Sequence, residues 1–229
     1  MNTVVIIPAY NEEDSIAKVI CDIPRNLVSE IIVVDNNSTD GTSEAARNSG
    51  ATVLIEQKKG YGAACLKGIE YLKDIQPEIV VFLDGDYSDF PGEITNIIDP
   101  IVQRNFDLVL GSRVMGKREK GSLPFQSRLG SYIAGYLIKL FWNVKYTDLG
   151  PFRAIRYCKL LQLNMEDKWY GWTVEMQIRA AKKNLKIIEI PVSYRKRIGE
   201  SKVTGTVRGT IMASIIIMKT IFKKLLNDK

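Results

Sequence analysis

Short β-branched runs alternate with helix-like stretches through the first half of the sequence, and this alternation constrains the fold more than any other feature. The runs are bounded by turn residues and predict buried strands over residues 3–8, 30–35, 52–56, 79–84 and 107–111. Helices are predicted between them, over residues 12–20, 42–50, 62–73 and 91–104. Because consecutive parallel strands need right-handed crossovers, the sequence predicts an α/β fold with a largely parallel, Rossmann-like sheet flanked by helices.

The second half is less regular. Residues 111–125 are rich in glycine and basic side chains and predict a mobile loop. Further elements are predicted as helices over 129–142 and 173–183, a short strand over 149–156, and a pair of strands separated by Pro191 over 185–197.

Polar residues cluster directly after four of the predicted strands. The clusters are Ala9–Glu12, Asp35–Gly41, Asp84–Asp89 and Gly111–Arg113. In open parallel sheets, ligands bind at the carboxyl ends of the strands. We therefore expect these clusters to form one site.

Composition excludes several classes of chemistry. The chain has no histidine, which rules out imidazole acid/base catalysis and histidine zinc sites. Its three cysteines are odd in number and scattered, which argues against a disulfide framework and fits a reducing compartment. The start of the chain lacks a signal-peptide pattern, and no apolar run reaches the roughly 20 residues of a spanning helix.

The net charge of +6 conceals an uneven distribution. Residues 1–110 carry 8 Lys/Arg and 18 Asp/Glu, whereas residues 111–229 carry 24 and 8. An acidic half suits a cation, and a basic half suits phosphates, nucleic acid or an anionic membrane. The basic stretch 194–209 contains little aromatic interleaving and fits no nucleic-acid module, so we expect no nucleic-acid partner.

The sequence FLDGDYSDFP places Asp84, Asp86 and Asp89 at the end of an apolar strand. Two carboxylates separated by one residue suit Mg²⁺ or Mn²⁺, which prefer oxygen ligands and relieve the repulsion between like charges. The alternative is a solvated turn, in which aspartates are common. Asp89 has a second explanation: it precedes Pro91 by two residues and suits a cap of the helix predicted there.

Other polar clusters suit a nucleotide. In PAYNEE, Pro8 ends the strand, Tyr10 offers an aromatic face and Glu12 a polar contact, while Asn11 also suits a helix cap. In VVDNNSTDGT, Asp40 suits a cap, whereas Asp35 has no such local role. Lys59 precedes a glycine-rich helix start whose exposed N–H groups suit an anion.

These motifs together resemble a known family. PAYNEE, VVDNNSTDGT, KGYGAA, FLDGDYSDFP, GSR, TDLGPFRAI and IGESKVTGT, in this order, are similar to family 2 glycosyltransferases of the GT-A (nucleotide-diphospho-sugar transferase) fold. The subgroup they most resemble is the polyprenyl-phosphate (dolichol-phosphate) glucosyl- and mannosyltransferases. The resemblance spans roughly residues 3–210.

The resemblance implies roles for individual residues. Pro8, Tyr10 and Glu12 are implied to line the nucleotide pocket, with Asp35 on the base or ribose and Lys59 on the nucleotide sugar. Asp84 and Asp86 are implied to hold Mg²⁺ or Mn²⁺, with Asp86 the direct ligand. Arg113 is implied to approach the donor or the acceptor phosphate, and Arg197, Ser201 and Lys202 are implied to lie on a loop that closes over the diphosphate. The catalytic set is Asp86, Arg113 and Arg197.

The implied reaction is an inverting transfer of a hexose from a nucleoside diphosphate sugar to polyprenyl phosphate, with UDP-glucose the first expected donor and GDP-mannose the second. A hydroxyl acceptor is the alternative and requires a general base. The corresponding region, GWTVEMQ, offers only Glu175, and an ionised phosphate acceptor needs no base. This favours the phosphate acceptor and a structural role for Glu175.

A polyprenyl acceptor implies a cytoplasmic protein bound peripherally to the inner membrane face. We expect a catalytic domain over residues 1–209 and an apolar, basic helix over 210–229. This helix and the aromatic helix 129–142 suit a membrane interface, an oligomer contact or packing on the sheet.

Overall fold

The computed structural model describes residues 2–199 and 207–226, without the side chains of 207–211 and 213. The predicted strands of the first half are all present, with ends shifted by at most two residues. The strands in chain order are β1 (Thr3–Ala9), β2 (Glu30–Asp35), β3 (Thr52–Ile55), β4 (Ile79–Phe82), β5 (Leu108–Ser112), β6 (Arg153–Arg156) and β7 (Ile187–Pro191).

Helices follow most strands, and a single 3₁₀ turn at Pro91–Glu93 precedes the fourth helix. The helices are α1 (Ile16–Asp22), α2 (Thr42–Asn48), α3 (Tyr61–Ile75), α4 (Ile94–Arg104), α5 (Phe125–Trp142), α6 (Tyr157–Leu163), α7 (Trp172–Lys182) and α8 (Val207–Leu226). Among the described residues, none of these helices combines the length and apolar character needed to cross a bilayer.

The strands form one seven-stranded sheet in the order β3-β2-β1-β4-β6-β5-β7. All neighbouring pairs are parallel except those of β6, which runs antiparallel between β4 and β5. The predicted largely parallel sheet is therefore confirmed. Because β1, β2, β4 and β5 share one direction, their carboxyl ends meet at one edge, as the polar clusters predicted.

Two apolar cores cover the two faces of the sheet. Alternate residues of each strand belong to opposite cores, as in β1, where Val4 and Ile6 face one core and Val5 and Ile7 face the other. Helices α3, α5, α6, α7 and α8 contribute to the first core, and α1, α2 and α4 to the second. Each fully buried Val or Ile contributes roughly 1.5–3 kcal/mol, so the central strands rigidly support the edge where the polar clusters lie.

The expected pair of strands over 185–197 is wrong. One strand, β7, ends at Pro191, and Tyr194 then makes only isolated bridges to Asp89 and Arg118. Proline lacks the N–H that a continuing ladder requires, so the chain leaves the sheet there. This departure carries Arg195 and Arg197 across to the loop after β4.

Helix α8 begins at Val207, three residues before the expected start of a separate C-terminal element. It packs against α5 and α7 and buries Thr220, Ile221 and Lys224. Met212, Ile215, Phe222 and Leu226 are exposed, whereas Ile216, Ile217, Met218 and Leu225 are half-buried. One face therefore belongs to the core, and another faces outward.

Candidate active site

Two cavities meet at the carboxyl edge of the sheet. The first, of about 310 Å³, is lined by residues from the loops after β1, β2 and β4, by the start of α3, and by Trp169, Tyr170 and Arg197. The second, of about 460 Å³, lies beside α5 and α8. The side chains common to both are those of Tyr61, Asp84, Asp86, Tyr170 and Arg197. The predicted aspartate pair thus lies at the junction.

Asp84 follows β4 and accepts a hydrogen bond of 3.0 Å from the Tyr61 hydroxyl. Burial, reinforced by repulsion from Asp86, raises the pKa of Asp84 from 3.8 to about 7, although Tyr61, Arg113 and Arg197 oppose the shift. Tyr61 was missed by the sequence analysis. Its position two residues after Lys59 was the only available signal.

Asp86 is nearly buried and is held from both sides. Its Oδ1 accepts hydrogen bonds from the backbone N–H and the hydroxyl of Ser88, at 2.9 and 2.5 Å. Its Oδ2 lies 3.1 Å from Nη1 of Arg197, whose Nη2 lies 2.8 Å from Oε1 of Glu12. The single guanidinium therefore bridges two carboxylates of the first cavity and offsets part of their negative charge.

The aspartate pair fits a hard divalent cation. Burial, and then repulsion between the two carboxylates, raises the pKa of Asp84, and such an ion would compensate the negative charge of the pair. Among the described residues, no third Asp, Glu, Cys or His joins the pair. A magnesium-like ion held by two carboxylates completes its coordination with water and substrate phosphate oxygens, so a two-carboxylate site is sufficient.

Asp89 does not cap the following turn. No side chain caps the turn at Pro91, and neither carboxylate oxygen of Asp89 has a hydrogen-bond partner in the described part of the chain. The residue is 1% exposed, and burial, with the nearby Asp84 charge, raises the pKa of Asp89 well above its usual range. A protonated Asp89 is the form that this environment favours.

The nucleotide-side predictions have mixed outcomes. Pro8, Tyr10, Glu12 and Lys59 line the first cavity, and Lys59 Nζ lies 3.4 Å from the Tyr10 hydroxyl. Asp35 does not line it. Contrary to expectation, Asp35 has a local role, because its carboxylate accepts hydrogen bonds from the backbone N–H of Ser38 and the hydroxyl of Ser43.

Asn36 lines the first cavity and was not singled out from the sequence. Its Oδ1 accepts a 2.7 Å hydrogen bond from the N–H of Gly60, and its Nδ2 donates to the carbonyls of Glu56 and Lys58. Asn36 therefore fixes the loop that carries Lys59. A polar residue directly after β2 was the available signal.

Two of the N–H groups at the start of α3 that the sequence suggested for an anion are already engaged by other residues. Gly62 N–H donates to the carbonyl of Trp169, and Ala63 N–H donates to that of Lys168, at 3.2 and 3.0 Å. Residues 166–171 thus cap this helix. The close approach requires glycine, since a Cβ at Gly62 would lie 2.0 Å from the Asp167 carbonyl oxygen.

Arg113 lines the second cavity and is locked in place by Asp148. Its Nε and Nη2 lie 2.7 and 2.9 Å from the two carboxylate oxygens, a bidentate pair. Asp148 is 3% exposed and also accepts a hydrogen bond from the Ser131 hydroxyl. Burial alone would raise the pKa of Asp148, but the Arg113 guanidinium outweighs burial and lowers it below 3.8.

The structure brings most of the predicted residues together: Pro8, Tyr10, Glu12, Lys59, Asp84, Asp86, Arg113 and Arg197. Ser201 and Lys202 lie outside the described residues. Glu175 lies outside both cavities. It is fully buried in α7, and its carboxylate is bound by Arg179, by Lys224 and by two backbone N–H groups.

Comparison with known proteins agrees with this geometry. A 34% identical relative, covering 95% of this chain and 96% of its own length, is an uncharacterized glycosyltransferase of Mycobacterium tuberculosis. A second, 28% identical over 94% of this chain and 93% of its own length, is the undecaprenyl-phosphate mannosyltransferase of Micrococcus luteus. A third, 28% identical over 82% of this chain and 83% of its own, is the UDP-N-acetylglucosamine–dolichyl-phosphate N-acetylglucosaminyltransferase of Methanococcus voltae.

A solved structure shares the fold. Glucosyl-3-phosphoglycerate synthase from Mycobacterium tuberculosis, crystallised with Mn²⁺, UDP and glucosyl-3-phosphoglycerate, superposes with a TM-score of 0.78. The match covers 98% of this chain and 80% of that chain at 22% identity. The model of the family described as "Glycosyl transferase family 2" matches residues 4–163. With its α/β sheet and its two-carboxylate cavity, this chain belongs to glycosyl transferase family 2 and is a glycosyltransferase.

Proposed function

We propose that the protein transfers a hexose, with inversion, from a nucleoside diphosphate sugar to polyprenyl phosphate in a metal-dependent reaction. UDP-glucose is the first donor to test and GDP-mannose the second. The donor belongs in the first cavity, which carries the aspartate pair, and the acceptor phosphate in the second.

The observation that carries this proposal is the charge of the second cavity. Its described lining contains Arg113, Lys196 and Arg197, and its only carboxylates are Asp84 and Asp86. A hydroxyl acceptor needs a base that takes its proton, and this lining supplies none besides the metal pair. A phosphate acceptor is already ionised and is attracted by the basic side chains. The buried, fully engaged Glu175 does not favour the hydroxyl alternative.

Each residue has a defined task in this scheme. Tyr61 holds the orientation of Asp84, and Ser88 holds that of Asp86. Asp84 and Asp86 would hold a divalent cation, which would supply Lewis-acid stabilisation of the charge on the departing nucleoside diphosphate. Asp148 holds Arg113 rigidly at the second cavity, so the guanidinium stabilises phosphate charge without reorganising.

A polyprenyl phosphate acceptor accounts for the exposed apolar side chains on the outer surface of α5 and α8. Large apolar side chains are exposed along one stripe of α5, and α8 adds a second stripe; the residues are Phe125, Leu129, Tyr132, Ile133, Tyr136 and Leu140, with Met212, Ile215, Phe222 and Leu226. We call these ten residues the apolar platform. Aromatic residues on such a surface, together with the exposed Lys219 and Lys223 of α8, favour the interface of an anionic membrane, and the same helices line the second cavity. We propose peripheral binding to the cytoplasmic membrane face.

The decisive test is a transfer assay with purified protein, polyprenyl phosphate, Mn²⁺, and either UDP-glucose or GDP-mannose. A labelled lipid product, with its anomeric configuration fixed by NMR, is the expected result. Chelation and the double variant Asp84→Ala/Asp86→Ala should abolish it, whereas Asp14→Ala, an exposed aspartate on the same edge, should not. Full turnover after chelation, or transfer to a hydroxyl acceptor alone, would overturn the proposal.

A further inference from the structure

Residues 166–171, which we call the bridging segment, connect the region after α6 to α7 and carry two aromatic side chains of the first cavity. Trp169 lines the first cavity and is 51% exposed, although it is a large apolar residue. Tyr170 lines both cavities at their junction with Asp84 and Asp86. A half-exposed tryptophan beside the cavity that carries the aspartate pair is available to contact a ligand there.

One side of the bridging segment is fixed to α3. Its carbonyls at Lys168 and Trp169 accept hydrogen bonds from Ala63 and Gly62. A Cβ at Gly60 would lie 2.1 Å from the Lys168 carbonyl oxygen, so the segment lies directly against the loop that carries Lys59. This contact sets the position of Trp169 relative to the opposite wall of the first cavity.

The other side is fixed by the buried carboxylate of Glu175. Its Oε2 accepts hydrogen bonds from the backbone N–H groups of Asp167 and Glu166, at 2.7 and 3.1 Å. Its Oε1 lies 2.8 Å from Nε of Arg179 and 2.7 Å from Nζ of Lys224. These contacts outweigh burial and lower the pKa of Glu175 below 4.5, so the group remains a carboxylate.

Helix α8 reaches the bridging segment at two points. Lys224 Nζ contacts both Glu175 and Glu166, and the Thr220 hydroxyl donates to Oδ2 of Asp167 at 3.3 Å. Oδ1 of the same Asp167 accepts a 2.7 Å hydrogen bond from the N–H of Trp169. A continuous series of polar contacts therefore joins α8 to the backbone of the residue that lines the cavity.

We propose that α8 positions the wall of the donor cavity through the bridging segment, with Lys224, Thr220 and Glu175 as positioning residues and Trp169 and Tyr170 as the side chains that contact the bound nucleotide sugar. The C-terminal helix is then part of the donor site as well as of the outer surface. Only the identity of the ligand rests on the proposed function; the connection between α8 and the segment does not.

The first test needs no ligand. Lys224 is buried, whereas Lys223 beside it is exposed on the same helix turn, which makes Lys223→Met a matched control for Lys224→Met. Hydrogen exchange measured by mass spectrometry should show peptides covering 164–171 exchanging about tenfold faster in Lys224→Met. Lys223→Met should match the wild type, and Lys224→Arg should restore protection. Thr220→Val provides a milder variant if Lys224→Met folds poorly. Unchanged exchange over 164–171 in both Lys224→Met and Thr220→Val would overturn the proposal.

The second test is a double-mutant cycle on binding of whichever of UDP, GDP and CDP the wild type binds with Mn²⁺. Lys224→Met should weaken binding by about fivefold in the wild-type background and have little further effect in the Trp169→Ala background. An equal loss in both backgrounds would mean that Lys224 acts through general stability, and would overturn the positioning role. Failure of all three diphosphates to bind would contradict the proposed function, while the exchange experiment would still decide whether α8 holds the segment.

Discussion

The guanidinium of Arg197 is bound to the carboxylate of Asp86, with Nη1 3.1 Å from Oδ2. The same side chain reaches Glu12, and the N–H of Ile198 donates to the carbonyl of Asp86. Arg197 was expected to close over the diphosphate of a donor. In this structure it binds a carboxylate that the proposed reaction assigns to a metal ion.

Arg197 and the metal ion compete for Asp86, so Arg197→Ala should bind Mn²⁺ alone more tightly, by about threefold to tenfold. Binding of UDP together with Mn²⁺ should weaken, because the diphosphate loses a charged hydrogen-bond donor. Titration calorimetry with and without the nucleotide separates these effects. Arg47→Ala, which removes an exposed arginine on α2, is the control, and a reduced affinity for Mn²⁺ alone in Arg197→Ala would contradict the competition.

Asp84 should make the metal-free protein less stable as the pH rises. Its folded pKa of about 7 lies above the ordinary 3.8, so the folded chain holds this proton more tightly than the unfolded chain, and stability falls between about pH 4 and pH 7. Asp84→Asn should therefore raise the free energy of unfolding by about 1–2 kcal/mol at pH 8, with little gain at pH 4. Urea denaturation at the two pH values measures this difference. An equal gain at both would show that the carboxylate charge is not the cause, and Mn²⁺ with UDP should stabilise the wild type but not the variant.

Asp148 should matter for turnover more than for donor binding. It holds Arg113 by a bidentate pair at the second cavity, so Asp148→Asn should reduce kcat by about 10–100-fold while the Kd for the donor diphosphate stays within twofold. The variant should also lose stability, because Arg113 then lacks its charged partner. Asp99→Asn, on an exposed position of α4, controls for the substitution itself. A weaker donor Kd at unchanged kcat would place Arg113 on the donor rather than the acceptor.

Glu175→Gln should behave as a structural change. The ionised carboxylate is stabilised in the folded chain, so this contribution is present above about pH 4.5 and is lost as the pH falls through the lowered folded pKa. The variant should be less stable than the wild type at pH 7, by about 3–5 kcal/mol if the buried cations lose their partner completely, and the gap should narrow at pH 3.5. Loss of the chemical step at full stability would instead support Glu175 as a base for a hydroxyl acceptor.

The apolar platform should bind anionic vesicles. Tyr132→Glu/Tyr136→Glu places two negative charges among its exposed aromatic residues, and flotation with vesicles containing an anionic lipid should fall at least about tenfold. Val102→Glu is the matched control, because Val102 is an exposed apolar residue on α4, which packs on the opposite face of the sheet. If the double variant instead converts a dimer to a monomer in light scattering and leaves flotation unchanged, the platform is an oligomer contact.

The alternation of the first half was sufficient to predict the sheet and the edge at which the site lies. Parallel strands buried on both faces have continuous apolar runs. The carboxyl ends of β1, β2, β4 and β5 meet because these four strands share one direction. Pro8 lies near the end of β1, and Glu12, Asp84 and Asp86 follow shortly after strands, so their positions in the sequence largely determine their positions in the site.

The contacts that orient those residues were not predictable in the same way. Tyr61 reaches Asp84 over 23 positions and Asp148 reaches Arg113 over 35, and no periodic pattern specifies pairs so far apart. Asp35 shows the opposite case. Ser38 and Ser43, which follow it in the sequence, donate hydrogen bonds to its carboxylate. A polar residue after a strand suits either this local role or ligand binding, and the sequence alone did not distinguish the two.

The antiparallel insertion of β6 affects how the chain is assembled during translation. Strand β5 pairs only with β6 and β7, both of which are synthesised later. When a ribosome has released residues 1–112, strands β1 to β3 have all their neighbours and β4 has β1, but β5 has none and exposes an apolar ribbon. The nascent protein must emerge past Arg156 before this ribbon is covered, so chaperone contact should concentrate on β5 during that interval.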